Sequence, residues 1–320
     1  MNESNSANIS SNFDFFSVDR LIDNSVTDFD LFINLRDHFI LYSGSGYRWS
    51  REELTHLFHA GHTSLYVRKQ DVSKTMMYEA IAKLPTVRQD LSPSERIRAI
   101  EDLGAKFTQC LFEGEITEAC TDKAKLIAQE LTDCILEDRS CVLNLGDLAG
   151  HDFYTFYHSI RVSAYSVAVA VSLGLSDVQL LREIALGGVL HDVGKRDVPV
   201  ALLNKSGPLS EPEWSIVRSH PKVGRANIAQ SILSHVPREI VLHHHERRSG
   251  LGYPDGLDHR SLLTEVQIVT LADIFDALTS ARSYQKRRTR FEALDFIKHK
   301  LLKDDICPNA FRALVSCLTA

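Results

Sequence analysis

Residues 180–195 read LLREIALGGVLHDVGK, and they indicate a helix more clearly than any other stretch of the chain. Apolar residues recur there at helical spacing as far as Leu190, and Gly194 is predicted to stop the helix. His191 and Asp192 stand side by side at the predicted helix end, where side chains can reach a ligand. Taken alone, such a pair is more often a polar helix terminus than a metal site, so the rest of the chain must distinguish the two.

The C-terminal half continues as one predicted helix after another. From about Asp152 the helical periodicity is broken by short segments that contain glycine or proline, at Gly174, Gly207-Pro208 and residues 250–256. The sequence has no alternation that predicts a strand ladder, and no internal repeat. This half is therefore predicted to be all-α.

The N-terminal half begins with a different pattern. Residues 29–41 alternate loosely between apolar and polar side chains, and residues 42–47, YSGSGY, supply turn chemistry. Together they predict a short hairpin.

A helix and a strand are predicted to follow the hairpin. Ser50 and Glu53 form a capping-box pattern at the helix start, and Gly61 is placed to end the helix. Residues 64–68, SLYVR, then predict a strand. This region is therefore a small α+β unit.

Composition excludes several classes of protein. The 320 residues are 44% hydrophobic with a formal net charge of -6, so neither a polymeric nucleic acid nor an anionic membrane is an expected partner. The six cysteines stand singly, without zinc-knuckle pairs, and are expected to be reduced thiols. The polar N-terminus and the absence of an apolar run of about 20 residues predict a cytoplasmic protein without a signal or membrane span.

A set of histidines and aspartates along the helical half has the composition of a metal cluster. Imidazole nitrogens and carboxylate oxygens are ligands for Fe, Mn or Zn, and a carboxylate can bridge two ions. Two such ions, about 3.5–4 Å apart, can clamp a phosphoryl group and activate a water. The residues are His158, His191, Asp192, His220, His244, His245 and Asp273.

Five ordered motifs make the chain similar to the HD-GYP family of cyclic di-GMP phosphodiesterases over about residues 150–290. They are DFYTFYHSIRV at 152–162, HDVGK at 191–195, HPKVG at 220–224, HHE with GLGYP between 244 and 254, and DIFDALTSAR at 273–282. Five motifs in this order are specific to the family.

The resemblance implies two divalent transition-metal ions, with Fe expected first and Mn next. One ion would be held by His158, His191, Asp192 and Asp273, and the second by Asp192, His220, His244 and His245, so that Asp192 bridges them. Lys195 would act with Asp192 in catalysis and would lie next to the scissile phosphate. Arg282 is the expected phosphate anchor, and Tyr253 and Asp276 are further expected substrate contacts.

The chain departs from the family pattern at three positions. Tyr154 replaces a glutamate that can help bind a third metal, so a binuclear site is expected. Ser249 replaces an aspartate before the glycine-rich loop at 250–256, hereafter the GYP loop, which puts the ordering of that loop in question. Gln285 replaces a second cation, and Lys286 beside it would point elsewhere on a helix, so weaker substrate binding is expected.

Four histidines have no motif partner and are expected to be ordinary packing or surface residues. They are His151, His235, His243 and His259.

The resulting fold class is mainly α, with an all-α HD-type helical bundle as catalytic domain, preceded by a small α+β domain and linking helices. The predicted segments are a disordered lead at 1–12, a regulatory N-terminal domain at 13–90, linking helices at 91–145, and the catalytic domain at 146–320. The N-terminal domain has no chemical signature, so a regulatory or dimer contact and a purely structural role stay equally open.

The function that the resemblance implies is hydrolysis of cyclic di-GMP to pGpG, continuing slowly to GMP. A mixed cyclic GMP-AMP is the alternative substrate. A low-activity cyclic dinucleotide receptor, or a module that docks a protein partner through the GYP loop, is the alternative class, and a hydrolase for another nucleotide is the third. A homodimer is a further expectation.

Overall fold

The computed structural model describes most of the chain. The described residues are 12–36, 38–59, 64–87, 91–113, 116–146, 154–205, 207–228, 233–280 and 287–319. They divide into two compact units, of which the first comprises Met1–Pro85 with Thr117–Leu126 and the second comprises Thr86–Ile116 with Ile127–Ala320. The four segments predicted from the sequence remain a prediction.

The first unit contains an antiparallel sheet of four strands in the order β1-β4-β2-β3. The strands are β1 (Phe13–Ser17), β2 (Leu31–Leu35), β3 (His38–Ser43) and β4 (Ser64–Arg68). Helix α1 (Arg51–His59) and all but the last residues of α2 (Val72–Val87) also belong to this unit. Its buried core includes Phe16, Leu31, Trp49, Leu57 and Leu65.

The hairpin exists, but its turn was predicted at the wrong place. The alternating stretch contains β2 and most of β3, which are joined through Arg36 in a left-handed conformation with φ 52°. Of residues 42–47, the first two end β3 and the last four form a turn after it, where the backbone N–H of Ser45 donates to Asp30 Oδ1 at 2.8 Å. Strand β1, which pairs with β4, was not predicted.

The predicted capping box at the start of α1 is confirmed. Ser50 and Glu53 bond reciprocally, with Glu53 Oε2 accepting from the Ser50 backbone at 2.9 Å and Ser50 Oγ accepting from the Glu53 backbone at 3.3 Å. The helix ends at His59, and Gly61 lies outside the described residues. The predicted strand at 64–68 is β4.

The second unit is helical, which confirms the mainly α prediction. After α3 (Pro93–Glu113) and α4 (Glu118–Glu137), of which the N-terminal part belongs to the first unit, the helices are α5 (Tyr154–Ser172), α6 (Val178–Leu190), α7 (Val200–Leu203), α8 (Glu211–Arg218), α9 (His220–Asn227), α10 (His235–His243), α11 (Thr264–Thr279), α12 (Arg290–Lys300) and α13 (Pro308–Thr319). None of the helices in the described ranges is long and apolar enough to span a membrane.

Two adjacent glycines let α6 pack closely between α5 and α10. A Cβ on Gly188 would lie 2.6 Å from the Cα of Ser163 on α5, and a Cβ on Gly187 would lie 2.5 Å from Ile240 on α10. Helix axes can approach this closely only where the side chain is a hydrogen atom. The paired glycines therefore fix the distance between the helices that carry the candidate site.

Gly194 has a different role from the predicted one. Helix α6 ends at Leu190, and Gly194 lies inside a short 3₁₀ helix, Val193–Asp197. A Cβ on Gly194 would lie 2.0 Å from the carbonyl oxygen of His220 and 2.5 Å from the backbone nitrogen of Gly224. The prediction that Gly194 stops the helix was therefore wrong, because this glycine permits backbone contact with α9.

Candidate metal centre

The structure brings together all seven of the predicted ligand residues. They come from the interior of α5 and α11, the end of α6, the start of α9 and the end of α10. Within each of two groups the ligand atoms lie within 4.8 Å of one another: Asp192, His220, His244 and His245 form one group, and His158, His191 and Asp273 form the other.

Backbone carbonyls hold three of the imidazole rings in one orientation. The Nδ1 contacts are His191 to Gly188 at 2.8 Å, His220 to Val217 at 2.8 Å, and His244 to Ile240 at 3.1 Å. A carbonyl oxygen can only accept, so each Nδ1 carries a hydrogen, and in the neutral form of the ring each Nε2 has the lone pair. The three Nε2 atoms are therefore already oriented as a metal ion would need them.

The arrangement of lone pairs fits a cation. The Nε2 atoms of His220 and His244 lie 3.3 Å apart, and Asp192 Oδ1 lies 3.3 Å and 3.7 Å from them. Two lone pairs facing one another repel unless a positive charge lies between them. Within the described part of the chain, His191 Nε2 and Asp192 Oδ1 are buried and make no hydrogen bond. Buried polar atoms in this state are costly, and a metal ion removes that cost.

The electrostatics keep both carboxylates and the His244 ring in their ligand forms. Burial opposes ionisation of Asp192, but Lys195 and His191 hold its pKa well below the usual value. For Asp273, burial is likewise outweighed, chiefly by His158, so its pKa is also well below the usual value. Burial lowers the pKa of His244 to about 4. Anionic carboxylates and neutral imidazoles are the forms that bind metal. At His191, by contrast, Asp192 outweighs the effect of burial and raises the pKa, so metal binding there competes with a proton.

Lys195 lies against the aspartate of the cluster. Its Nζ is 2.5 Å from Asp192 Oδ2, and its side chain is 21% exposed. The structure thus places this cation at the edge of the candidate metal centre, where it contacts the one carboxylate that both metals are expected to share.

A cavity of about 580 Å³ opens beside the cluster. Metal-ligand candidates form one wall, because His244, His245 and Asp273 line it. The ring of Tyr253 lies 4.8 Å from that of His245, at an angle of 31°. Tyr253 therefore covers the cluster from the GYP loop, and burial raises its pKa, which keeps its hydroxyl protonated.

Several lining residues were missed by the sequence analysis. Trp214 and Arg218 on α8 and Arg247 after α10 line the cavity, and the Arg218 guanidinium lies 5.2 Å over the Trp214 ring. The sequence did contain a signal, since Trp214 and Arg218 are four residues apart on one helix, just before the candidate ligand His220.

A buried glutamate orders the GYP loop. Glu246 accepts three backbone N–H groups: Oε1 accepts from Asp255 at 2.7 Å and Gly256 at 3.0 Å, and Oε2 accepts from Leu257 at 3.0 Å. Ser249, which replaces the family's aspartate, donates to Asp305 Oδ1 at 2.7 Å. The loop is therefore held at both ends despite that replacement.

Asp276 does not face the cavity, and its predicted role as a substrate contact needs correction. Its Oδ2 lies 2.7 Å from His158 Nδ1, and its Oδ1 accepts from Arg161 Nε at 2.6 Å. Both oxygens of this buried carboxylate are therefore occupied by protein groups. Arg161 outweighs the effect of burial and lowers the pKa of Asp276 to about 2, so it stays an acceptor that orients His158.

The remaining predicted residues have mixed outcomes. Arg282, Gln285, Lys286 and His151 lie outside the described residues, as does the side chain of Tyr154. His235 and His259 are exposed. His243 is buried beside the cluster but belongs to neither group, and it contacts Glu239 at 3.1 Å and Asp255 at 3.2 Å.

Comparisons with known proteins agree with the resemblance that the motifs indicated. The HD domain family matches residues 126–303. The cyclic di-GMP phosphodiesterase PA4108 of Pseudomonas aeruginosa is 36% identical over 199 residues, which is 62% of this chain and 47% of that protein. The 3'3'-cGAMP-specific phosphodiesterase 1 of Vibrio cholerae is 33% identical over 148 residues, which is 46% of this chain and 34% of that protein. The chain thus spans less than half the length of these relatives.

A solved structure supports the fold. The HDG"Y"P protein Bd1817 of Bdellovibrio bacteriovorus superposes with a TM-score of 0.65 at 19% identity, covering 96% of this chain and 100% of that one. At this identity the likeness concerns the fold alone.

Proposed function

The chain belongs to the HD domain family, and from that premise we propose that it is a metal-dependent phosphodiesterase that hydrolyses cyclic di-GMP to the linear dinucleotide pGpG. The observation that carries the proposal is the pair of His/Asp groups, whose members His244, His245 and Asp273 form a wall of the cavity. A substrate in that cavity would present its phosphate directly to the groups that can hold metal.

The proposed metal ligands are the seven clustered residues, with Asp192 shared between two ions. Nitrogen and oxygen donors of this kind suit Fe and Mn, in that order of expectation. Bound divalent ions would supply the positive charge that stabilises the phosphoryl oxygens and the acidity that activates a water.

The residues around the cavity would hold the dinucleotide. Arg218 and Arg247 place two guanidinium groups at its lining, where they can pair with phosphate oxygens. Trp214, which is 37% exposed, offers an aromatic face on which a base can stack. A volume of about 580 Å³ is within the range of about 300–1,000 Å³ typical of small-molecule sites.

Lys195 and Tyr253 have separate proposed roles. The Lys195 ammonium, held at the cluster by Asp192, would stabilise charge that develops on the phosphate or on the departing oxygen. Tyr253 would exclude water from the ligand side of His245 and contact the nucleotide. Arg282 remains the proposed phosphate anchor. We further propose slow hydrolysis of pGpG to GMP, a cytoplasmic location, a homodimer and a protein partner that docks at the GYP loop.

Mixed cyclic GMP-AMP is a second candidate substrate, because one relative with 33% identity is named as specific for 3'3'-cGAMP. The test is product chromatography on metal-free protein and on protein loaded with Fe or Mn, given each dinucleotide in separate reactions. Metal-dependent pGpG from cyclic di-GMP supports the proposal, and faster linearisation of cGAMP would favour the second substrate. If the protein with both metals present bound the cyclic dinucleotides tightly and formed no linear product, the protein would be a receptor and the proposed enzyme activity would be wrong.

A further inference from the structure

Helix α3 lies upstream of the matched HD domain and yet packs against the helix that carries His158. A Cβ on Gly104 of α3 would lie 2.5 Å from Ile160 on α5, so the two helices are in close contact. Tyr157 Oη donates to Asp102 Oδ1 at 3.1 Å. The family match begins at residue 126, so the α3 partners in these contacts lie outside it, whereas the α5 partners lie inside it.

A third contact from α3 enters the interior of the second unit. Glu101, which is 7% exposed, accepts from Arg161 Nη1 at 3.3 Å and also from the backbone N–H of Gly146. Arg161 donates from Nε to Asp276 at 2.6 Å, and Asp276 in turn holds His158 Nδ1 at 2.7 Å. A continuous chain of buried charged groups therefore runs from α3 to a candidate metal ligand.

The series of buried groups from Glu101 to His158 contains one cation and two carboxylates. Arg161 is the cation between two carboxylates, Glu101 and Asp276, and all three are buried. When Glu101 is ionised, its negative charge offsets part of the positive charge of Arg161. Arg161 then compensates the negative charge of Asp276 less completely. A more negative Asp276 is a stronger acceptor for His158 Nδ1–H, which makes His158 Nε2 a better metal donor.

We propose that Glu101 is a positioning residue for the metal centre, which acts through Arg161 and Asp276 on the strength with which His158 binds metal. The inference rests on the metal centre of the proposed function and adds a contribution from outside the HD domain match. Burial raises the pKa of Glu101 to about 7, although Arg161 beside it acts in the opposite direction. The groups that face Glu101 are Arg161 and Tyr157 on α5, Asp276 on α11 and the backbone of Gly146.

The test is the Mn²⁺ affinity of metal-free protein, measured by calorimetric titration at pH 8 and pH 6. Glu101→Gln keeps the shape and the acceptor oxygen but removes the charge. At pH 8 this variant should raise the Kd for Mn²⁺ about three- to tenfold, less than the roughly 10–100-fold typical of a direct partner of a ligand. At pH 6, below the raised pKa of about 7, Glu101 of the parent is mostly protonated, so the Kd values of parent and variant should nearly converge.

A double-mutant cycle identifies the route. If Glu101 acts through Asp276, then Glu101→Gln should have no further effect in an Asp276→Asn background. Asp102→Asn is the matched control, because it removes a neighbouring α3 charge, keeps an acceptor oxygen for the Tyr157 hydroxyl and leaves Glu101, Arg161 and Asp276 unchanged. Melting temperatures of all variants show whether the fold is retained.

Several results would overturn the inference. They are an unchanged Kd at pH 8, a difference that persists at pH 6, additive effects in the cycle, or an equal loss in Asp102→Asn. None of these measurements uses hydrolysis. A parent protein that binds Mn²⁺ and cleaves no cyclic dinucleotide would therefore contradict the proposed phosphodiesterase while leaving this test readable.

Discussion

Replacing Gly194 by alanine should damage the metal centre without touching a ligand. The new Cβ would lie 2.0 Å from the His220 carbonyl oxygen and 2.5 Å from the Gly224 nitrogen. Carbon and carbonyl oxygen normally approach to about 3.3–3.6 Å, so α9 must retreat by roughly 1.3 Å at its first residue. That residue is His220, a candidate ligand.

The magnitude follows from this displacement. Overpacking of this kind costs about 1–3 kcal/mol of unfolding free energy. A misplacement of about 1 Å at a reacting centre can lower the rate about 10²-fold. The group that contains His220 should lose occupancy first, because His158, His191 and Asp273 of the other group lie on α5, at the end of α6 and on α11.

The assay is elemental analysis of purified protein together with the rate of cyclic di-GMP cleavage. Metal content should fall from about two ions per chain toward one, and the rate should fall about 10²-fold. Gly207→Ala is the matched control, since a Cβ there meets nothing within 4 Å. If Gly194→Ala kept both metals and the parent rate, the contact between the 3₁₀ helix and α9 would not position the site, and the reasoning would be refuted.

Three further predictions concern single side chains. Asp192→Ala should abolish hydrolysis and reduce the occupancy of both ions, while His243→Ala should keep both metals because His243 belongs to neither group. Equal metal loss from the two variants in elemental analysis would contradict this assignment of Asp192 and His243. Lys195→Ala should lower turnover about 10²–10³-fold with little change in substrate binding, whereas Arg282→Ala should mainly weaken substrate binding. Steady-state kinetics and separate binding titrations at equal metal loading distinguish the two variants. Glu246→Gln should raise KM without changing metal content. An amide NH₂ in place of one carboxylate oxygen leaves a GYP-loop N–H facing a donor, which destabilises the loop conformation by about 1–3 kcal/mol. An unchanged KM would show that the loop does not need Glu246.

The sequence was informative where a feature is local. The helical C-terminal half, the capping box of Ser50 and Glu53, and strand β4 all depend on residues close together in the chain, and the structure confirms them. The hairpin turn was misplaced because alternation continues through both strands and gives no sign of where the chain reverses. Arg36 adopts its left-handed conformation without the glycine that usually signals such a turn.

Other features depend on tertiary contacts that no local pattern reports. Gly194 resembled a helix stop, yet its requirement comes from a backbone on another helix. Asp276 was predicted to contact substrate because it stands in a motif near the end of α11, whereas its partners His158 and Arg161 lie more than 100 residues earlier. Glu101 has no motif at all, and its importance emerges only from its contact with Arg161, 60 residues away.

The ligands themselves show why one part of this site is visible in sequence and another is not. His191, His220 and His244 are oriented by carbonyls three or four residues before them, so a short helix end is sufficient to aim each Nε2. Each of these histidines and the carbonyl that orients it therefore lie within one short stretch of sequence, which a motif can report. His158 instead owes its orientation to Asp276 and, through Arg161, to Glu101, on three separate helices. If Glu101 acts as proposed, the donor strength of His158 changes with the charge of Glu101 while every motif stays intact. We therefore expect His158 to be the candidate ligand through which α3 acts on the metal centre.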